Sequence, residues 1–207
     1  MKTRSINPAD HPGYFNKGNS DMITKLYDVR LSFPHLFEPT AFKAGDALKF
    51  SACFLVPKKS DQGKQIEKDM LEAMTSKFGA KAKASLEGIR GNTNKCCVQD
   101  GDNSEYEGYA GNWVVRAKSD ARPVVVDQNK NPLTQADGKP YSGCYVNASI
   151  EFFAYDNSGK GLSAKLRAVA FKRDGDSFSG GTKLTDDEVD DLADGASAGS
   201  EDTEDLA

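Results

Sequence analysis

The chain has 207 residues, of which 38% are hydrophobic and 28% charged, and its formal net charge is −4. A chain of this size can bury a substantial core as one domain, and no stretch approaches the roughly 18 consecutive apolar residues of a membrane-spanning helix. The first twenty residues lack the apolar run of a signal peptide, so we expect a cytoplasmic protein that does not bind membranes.

The charge is unevenly distributed along the chain. Residues 185–207 contain ten acidic side chains and no Lys or Arg, whereas the other 184 residues hold 27 basic and 21 acidic groups and therefore carry +6. The ten acidic residues are Asp186, Asp187, Glu188, Asp190, Asp191, Asp194, Glu201, Asp202, Glu204 and Asp205. Such tails are often disordered segments whose only role is to keep the protein soluble. The opposed charge of the body favours a tail that imitates a polyanion and docks partner proteins.

The first periodic segments predict two strands. Residues 1–23 offer turns without periodicity and are expected to form a flexible leader. In residues 25–33, alternation places Tyr27, Val29, Leu31 and Phe33 on one face, with Pro34 ending the strand. Residues 48–56 form a second strand that ends at Pro57. Its inward residues are expected to be Leu48, Phe50, Ala52, Phe54 and Val56.

The next segment predicts an amphipathic helix. Ser60 or Asp61 is a suitable N-cap, and Gly79 a suitable C-terminal residue. Between them, apolar residues recur at four-residue steps. These residues are Ile66, Met70, Met74 and Phe78. A second short helix over 80–87 and a loop over 91–111 are expected to follow.

Four further strands are predicted at 112–118, 123–127, 144–155 and 162–172. In the last one, alternation sets Ala168 and Ala170 inward and Val169 and Phe171 outward. Five or six antiparallel strands with one helix predict a mainly β domain over residues 24–184, an OB-like barrel whose helix lies between the second and third strands. Residues 185–207 are expected to form a disordered tail.

Aromatic and basic residues share the outward phases of several predicted strands. Rings interleaved with cations are typical of proteins that bind single-stranded nucleic acid, because bases stack on rings and phosphates pair with Lys or Arg. The candidate stacking residues are Tyr145, Phe153, Tyr155 and Trp113, and the candidate phosphate contacts are Arg30, Lys49, Arg116, Lys118, Lys165 and Arg167. Strands are also enriched in aromatic residues for packing alone, and the alternation of Trp113 with Val115 and Ala117 favours burial.

Signatures of enzymes and cofactors are weak. Ser158-Gly-Lys-Gly lacks the features of a phosphate-binding loop, and Asp100-Gly-Asp-Asn-Ser-Glu has Glu105 where a calcium loop needs glycine. The four cysteines have no zinc-type spacing and are expected to be free thiols. We therefore expect no metal or cofactor. A metal-dependent DNA-processing enzyme that uses the carboxylates between Asp100 and Glu107 is the alternative.

Several long strings resemble those of a tailed-phage protein family. They are Val29-Arg-Leu-Ser-Phe-Pro-His-Leu-Phe-Glu-Pro, Tyr106-Glu-Gly-Tyr-Ala-Gly-Asn-Trp, Arg122-Pro-Val-Val-Val-Asp, Tyr141-Ser-Gly-Cys-Tyr-Val-Asn-Ala and Phe152-Phe-Ala-Tyr-Asp-Asn-Ser-Gly-Lys-Gly. Members of this family are OB-fold single-stranded DNA-binding proteins with acidic C-terminal tails.

The resemblance implies a non-enzymatic protein that coats single-stranded DNA with little sequence preference during phage replication and recombination. It also implies a tail that recruits replication proteins. The tail here ends in Asp205-Leu-Ala, whereas tails in this family often end in an aromatic residue. A phage structural or scaffolding protein, with the tail on a capsid partner, is a further alternative.

Overall fold

The computed structural model describes residues 23–41 and 43–178. The expected acidic tail and all of the expected leader except Ile23 lie outside these residues. No helix in the described ranges is both long and apolar enough to cross a membrane.

The described chain forms seven strands and two α-helices. The strands are β1 (Ile23–Thr40), β2 (Lys49–Pro57), β3 (Val98–Asp100), β4 (Asn112–Ser119), β5 (Val124–Val126), β6 (Tyr145–Asp156) and β7 (Lys160–Arg173). The helices are α1 (Asp61–Phe78) and α2 (Ala82–Ile89), joined by a 3-10 turn over Gly79–Lys81.

Five of the strands close into a barrel in the order β4-β2-β1-β6-β7. All neighbours in this order are antiparallel. The ring closes through a parallel contact of β4 with β7, where Lys118 and Lys165 are register partners. The short strands β3 and β5 add to β4 and β7. This is the five-stranded OB-type barrel that the sequence predicts, and the prediction that the helix follows the second strand is confirmed.

The core fills the barrel and the space under α1. Phe54, Leu31 and Ile150 are fully buried inside the barrel, and Ile66 and Met74 of α1 cover it. The inward phase predicted for β2 is confirmed, apart from Leu48, which precedes β2 and is exposed. In β6, the residues that alternate with the predicted outward Tyr145 and Phe153, such as Val146 and Ile150, are buried, which agrees with that phase.

The predicted ends of α1 are confirmed. The Ser60 hydroxyl accepts a hydrogen bond from the Gly63 amide at 3.0 Å and so caps the first turn. Gly79 ends the helix with a φ of 54°, a conformation that glycine adopts without steric cost.

The alternation predicted for β1 is wrong at Tyr27 and Phe33. Both side chains are exposed, by 54% and 46% respectively. Positive φ values at Asp28 (51°) and Phe33 (47°) interrupt the pleat, and the register with β6 shifts beside Asp28. Each interruption moves the following side chains to the other face. The strand also continues past Pro34 to Thr40.

The phase predicted for the second half of β7 is also wrong. Two residues of β7 advance against one residue of β6 around Arg167, which forms a bulge. Val169 and Phe171 are therefore buried, whereas Ala168 and Ala170 are half-buried on the other side.

Candidate nucleic-acid interface

The side of β1, β2 and β4 that points away from the barrel interior is called the outer face below. OB barrels bind oligonucleotides across their second and third strands, which are β2 and β4 here. Cross-strand register places the side chains of the outer face in two neighbouring rows. The rows are Arg30, Leu55 and Val114, and Ser32, Cys53 and Arg116. The middle of the outer face is apolar, since Leu55 and Val114 are buried under the loop before β4.

Three aromatic rings, Phe33, Tyr106 and Tyr109, form a continuous row on the outer face, called the aromatic ladder below. The ring centroids of Phe33 and Tyr106 are 5.3 Å apart, edge to face, and those of Tyr106 and Tyr109 are also 5.3 Å apart. Tyr109 is the base of the ladder, because it is buried against Leu55. Phe33 and Tyr106 are exposed, Tyr106 by 61%. Two rings are therefore available for stacking.

The base of the aromatic ladder is fixed by burial and by a hydrogen bond. The Tyr109 hydroxyl donates to the Ser32 hydroxyl at 2.9 Å. Burial raises the pKa of Tyr109 to about 12, an effect that the bond to Ser32 only partly opposes. Tyr109 is thus a neutral, immobile support for the exposed ring of Tyr106.

The loop that carries Tyr106 and Tyr109 is held by carboxylates of its own. Lys58 donates to Asp100 and, at 2.6 Å, to Asp102. Asp102 also accepts from the Gly111 amide at 2.5 Å, and Lys58 is the main cause that lowers the pKa of Asp102. A Cβ at Gly101 would lie 2.1 Å from the Tyr109 carbonyl oxygen, so this approach requires glycine.

The same carboxylates are the basis of the alternative with a metal-dependent enzyme. Asp100 and Asp102 are bound to a lysine instead. Within residues 23–41 and 43–178, no group of three or more His, Cys, Asp or Glu side chains is placed to hold a metal ion. In this part of the chain the carboxylates hold the loop in position.

Two of the predicted contact residues, Arg30 and Tyr145, meet at the β1 edge of the outer face. Arg30 donates to the Gly143 carbonyl at 3.1 Å and to the Asp176 carbonyl at 2.5 Å. Its guanidinium lies 5.5 Å from the Tyr145 ring and 4.2 Å from the Phe178 ring. The guanidinium of Arg173 covers the Tyr145 ring at 3.3 Å. This edge therefore already contains stacked rings and cations.

The remaining predicted contacts near the outer face lie on the β4–β7 side. Arg116 donates to the carbonyls of Thr93 and Cys96, the latter at 3.1 Å. The Tyr155 hydroxyl donates to the Asn94 carbonyl at 3.2 Å. Both side chains therefore hold the loop over residues 92–97.

Lys118 and Lys165 are exposed neighbours on the two strands that close the barrel. Phe153, on the strand beside β7, has a ring that is 38% exposed. These three residues extend a basic and aromatic surface from β4 to β6.

Three predicted contact residues lie apart from this arrangement. Trp113 points to the interior side of β4 and packs against the core, with the ammonium of Lys58 5.2 Å from its ring. Lys49 is paired with Asp120 at 2.9 Å, and Arg167 with Glu151 at 2.8 Å. A role in DNA binding stays a prediction for these three residues, as it does for the other seven.

Sequence reasoning misses the aromatic ladder. Strand alternation assigns Phe33 to the interior, and Tyr106 and Tyr109 lie in a loop without periodicity. The available signal is two tyrosines three positions apart in an otherwise polar, glycine-rich segment.

The four cysteines are free, as expected. Burial raises the pKa of Cys53, on the outer face, to about 11, although Arg116 acts in the opposite direction. Such thiols are unreactive at neutral pH.

Comparison with known proteins gives concordant results. A family model described as "Enterobacter phage Enc34, ssDNA-binding protein" matches residues 21–202. A putative protein, p50, of Acyrthosiphon pisum secondary endosymbiont phage 1 is 48% identical over 174 residues, which are 83% of this chain and 95% of that protein.

Two solved structures of the single-stranded DNA-binding protein from bacteriophage Enc34 are similar to this fold. The complex with ssDNA has a TM-score of 0.64 and 26% identity, over 76% of this chain and 89% of that one. A C-terminal truncation has a TM-score of 0.60 and 25% identity, over 75% and 87% of the two chains.

Proposed function

The chain belongs to the family of the Enterobacter phage Enc34 ssDNA-binding protein, and from this membership we propose that it binds and coats single-stranded DNA during phage DNA replication and recombination. The family and the solved relative are named as DNA-binding proteins and not as enzymes. The cellular location that follows is the cytoplasm of the infected host.

The observation that carries the proposal is the aromatic ladder on the outer face. Exposed rings of Phe33 and Tyr106 offer stacking platforms next to the strands that OB barrels use for oligonucleotides. Each base stacked on such a ring contributes about 1–3 kcal/mol, and any base can stack. The protein therefore binds with little sequence preference.

Phosphate contacts are assigned to the cations around the ladder. Lys118 and Lys165 are exposed side by side on β4 and β7, and Arg30 and Arg116 lie in the two rows of the outer face. Tyr145, Phe153 and Tyr155 are the further candidates for stacking. In this assignment DNA crosses the barrel from the Arg30 edge towards β7.

The acidic segment 185–207 is proposed to compete with DNA for the outer face and, when displaced, to bind replication or recombination proteins. The course of the chain after β7 supports this. Asp176 and Phe178 contact Arg30 on the outer face, and the acidic segment begins seven residues after Phe178. Seven residues span at most about 25 Å, so ten negative charges start within reach of the basic surface.

Anisotropy of a labelled oligo-dT tests both parts of the proposal over a salt series. The full chain is compared with a variant that ends at Leu184 and with a full-length variant whose ten tail acids are changed to Asn or Gln. We expect binding by the full chain, and tighter binding by both variants, most of all at low salt. The neutralised tail separates the effect of charge from the effect of length.

Absence of binding by all three proteins would contradict the DNA-binding function and favour a structural role. Equal DNA affinities of the three proteins at low salt would contradict only the competition by the tail and would leave the DNA-binding function intact. Incubation of the DNA with Mg²⁺ or Mn²⁺ and the protein should leave the strand intact.

A further inference from the structure

A cleft with a volume of 530 Å³ lies between α2 and the turn that joins β6 to β7. Its lining consists of Lys81, Ala84, Ser85, Gly88, Ile89, Asn92, Lys95 and Lys160. Among the described residues, the lining contains three lysines and no carboxylate. We call it the lysine cleft.

Two of the three lysines, Lys95 and Lys160, are held by neutral groups. The ammonium of Lys160 donates to the Ser85 hydroxyl at 3.0 Å and lies 5.1 Å from the Phe78 ring. Lys95 donates to the carbonyl of Ser158. Neutral partners fix the position of an ammonium group without cancelling its charge. Both lysines therefore present positive charge to the cleft.

Two other cations near the helices are already neutralised. Lys58 is bound to two carboxylates, and Arg90 forms a two-bond pair with Glu67. Such pairs leave little charge for a further anion. The lysine cleft, in contrast to Lys58 and Arg90, has charge without a counterion among its described lining residues.

The loop over residues 92–97 connects the lysine cleft to the outer face. Asn92 and Lys95 line the cleft. Between them, the carbonyl of Thr93 accepts a hydrogen bond from Arg116, and the carbonyl of Asn94 accepts one from Tyr155. One short, anchored segment therefore separates the two surfaces. A strand of DNA that leaves the outer face over this loop meets the cleft next.

We propose that the lysine cleft is a second phosphate-binding subsite, which takes the backbone of single-stranded DNA beyond the outer face. The inference depends on the proposed DNA-binding function and adds a region of contact to it. The helix side of the cleft has room for a ligand, since a Cβ at Gly88 would meet no atom of the described residues within 4 Å. Short DNA fits the outer face alone, whereas longer DNA reaches the lysines.

The double variant Lys95→Gln/Lys160→Gln in the full chain tests the subsite with DNA of two lengths. OB folds cover about 4–16 nucleotides, so labelled dT of about 6 and about 25 nucleotides are used over a salt series. Each lost phosphate contact reduces the salt slope by about 0.7 on single strands. For the long DNA we expect a slope shallower by about 1.4 and an affinity about 25-fold lower near 0.1 M salt. For the short DNA we expect no change.

A matched pair at Gly88 checks the same surface without removing a lysine. Gly88→Glu places a carboxylate among the lysines and should weaken long DNA selectively, while Gly88→Gln has the same size without the charge and should bind closer to the unmodified chain. Thermal unfolding of each variant confirms that it is folded.

Equal weakening for both lengths, or unchanged binding of the long DNA, would overturn the subsite while leaving the function intact. Tighter binding by the double variant would overturn it in favour of the acidic segment as the occupant of the cleft. If the unmodified chain binds neither DNA, the proposed function fails and the subsite with it.

Discussion

Replacement of Tyr106 by alanine is the most direct test of the aromatic ladder. The ring is 61% exposed, and its ring neighbours are Phe33 and Tyr109, each at 5.3 Å. Loss of an aromatic contact costs about 0.5–1.5 kcal/mol of folding stability. Loss of one base–ring stack costs about 1–3 kcal/mol of binding, which corresponds to roughly a 5- to 150-fold increase in Kd. The variant should thus stay folded and bind DNA much more weakly.

Two controls separate stacking from a general effect on the protein. Tyr106→Phe keeps the ring and should stay within about twofold of the unmodified Kd, because stacking uses the π-face. Tyr27→Ala removes a ring of similar exposure, 54%, from a part of β1 whose backbone is bound to Gln62 of α1. It should leave the Kd unchanged.

Anisotropy with labelled oligo-dT measures these constants, and denaturant unfolding measures the stability of each variant. The reasoning is refuted if Tyr106→Ala, like the control Tyr27→Ala, has the same Kd as the unmodified chain. It is also refuted if Tyr106→Phe binds as poorly as Tyr106→Ala, since the hydroxyl and not the ring would then be responsible.

Three further predictions concern stability and thiol reactivity. Gly63→Ala should lower the free energy of unfolding measured in urea, despite a gain of about 1 kcal/mol in helix propensity, because the new Cβ would lie 2.4 Å from a backbone carbonyl oxygen. Gly88→Ala, with open space at its Cβ, should instead raise the free energy of unfolding. Equal effects of the two substitutions would contradict this difference. The pKa of Tyr109 is about 12 in the folded state and about 10 when the chain is unfolded. Its contribution to stability is therefore complete below pH 10 and is lost by up to about 1.4 kcal/mol per pH unit towards pH 12. Tyr109→Phe should flatten this loss of stability with pH, and an unchanged slope would contradict the raised pKa of Tyr109. Cys53, whose pKa is about 11, should react with Ellman's reagent at pH 8 only after denaturant is added, and rapid reaction of the folded chain would show the thiol to be accessible.

Local rules predict those parts of the fold that local interactions determine. The two-residue period of β2 and β6 predicts that Phe54 and Ile150 are inside, because each strand has one face on the core. The ends of α1 depend on Ser60 and Gly79, whose roles follow from side-chain and backbone geometry alone. The presence of the barrel strands, and their sequence along the chain, follow from such segments.

The bulges could not be predicted from local pattern. Phe33 and Arg167 give no sign of a bulge, and no glycine marks the change of phase. Asp28 is of a type that is depleted in strands and tolerates positive φ, but this alone does not locate a bulge. The register of the neighbouring strand imposes each interruption, and each inverts the faces that follow. Alternation places Phe33 in the core for this reason.

The candidate site depends even more on long-range contacts. Tyr109 is fixed by a hydrogen bond to a residue 77 positions earlier, so its loop position alone carries no signal of a binding surface. Likewise, the outward cations Lys49 and Arg167 can be recognised from their strand phase, but their acidic partners cannot. Those pairs depend on which strands become neighbours.

The closure of the barrel by β4 and β7 has a consequence for the order of events during synthesis. A growing chain can pair β1 with β2 and form α1 early, but the other edge of β1 waits for β6, as Arg30 pairs with Tyr145. Barrels with such distant pairings fold in milliseconds to seconds, and until closure β1 exposes an unpaired edge that favours aggregation. The acidic segment follows β7 in the chain, so the segment proposed to occupy the outer face is synthesised only after all the strands of that face.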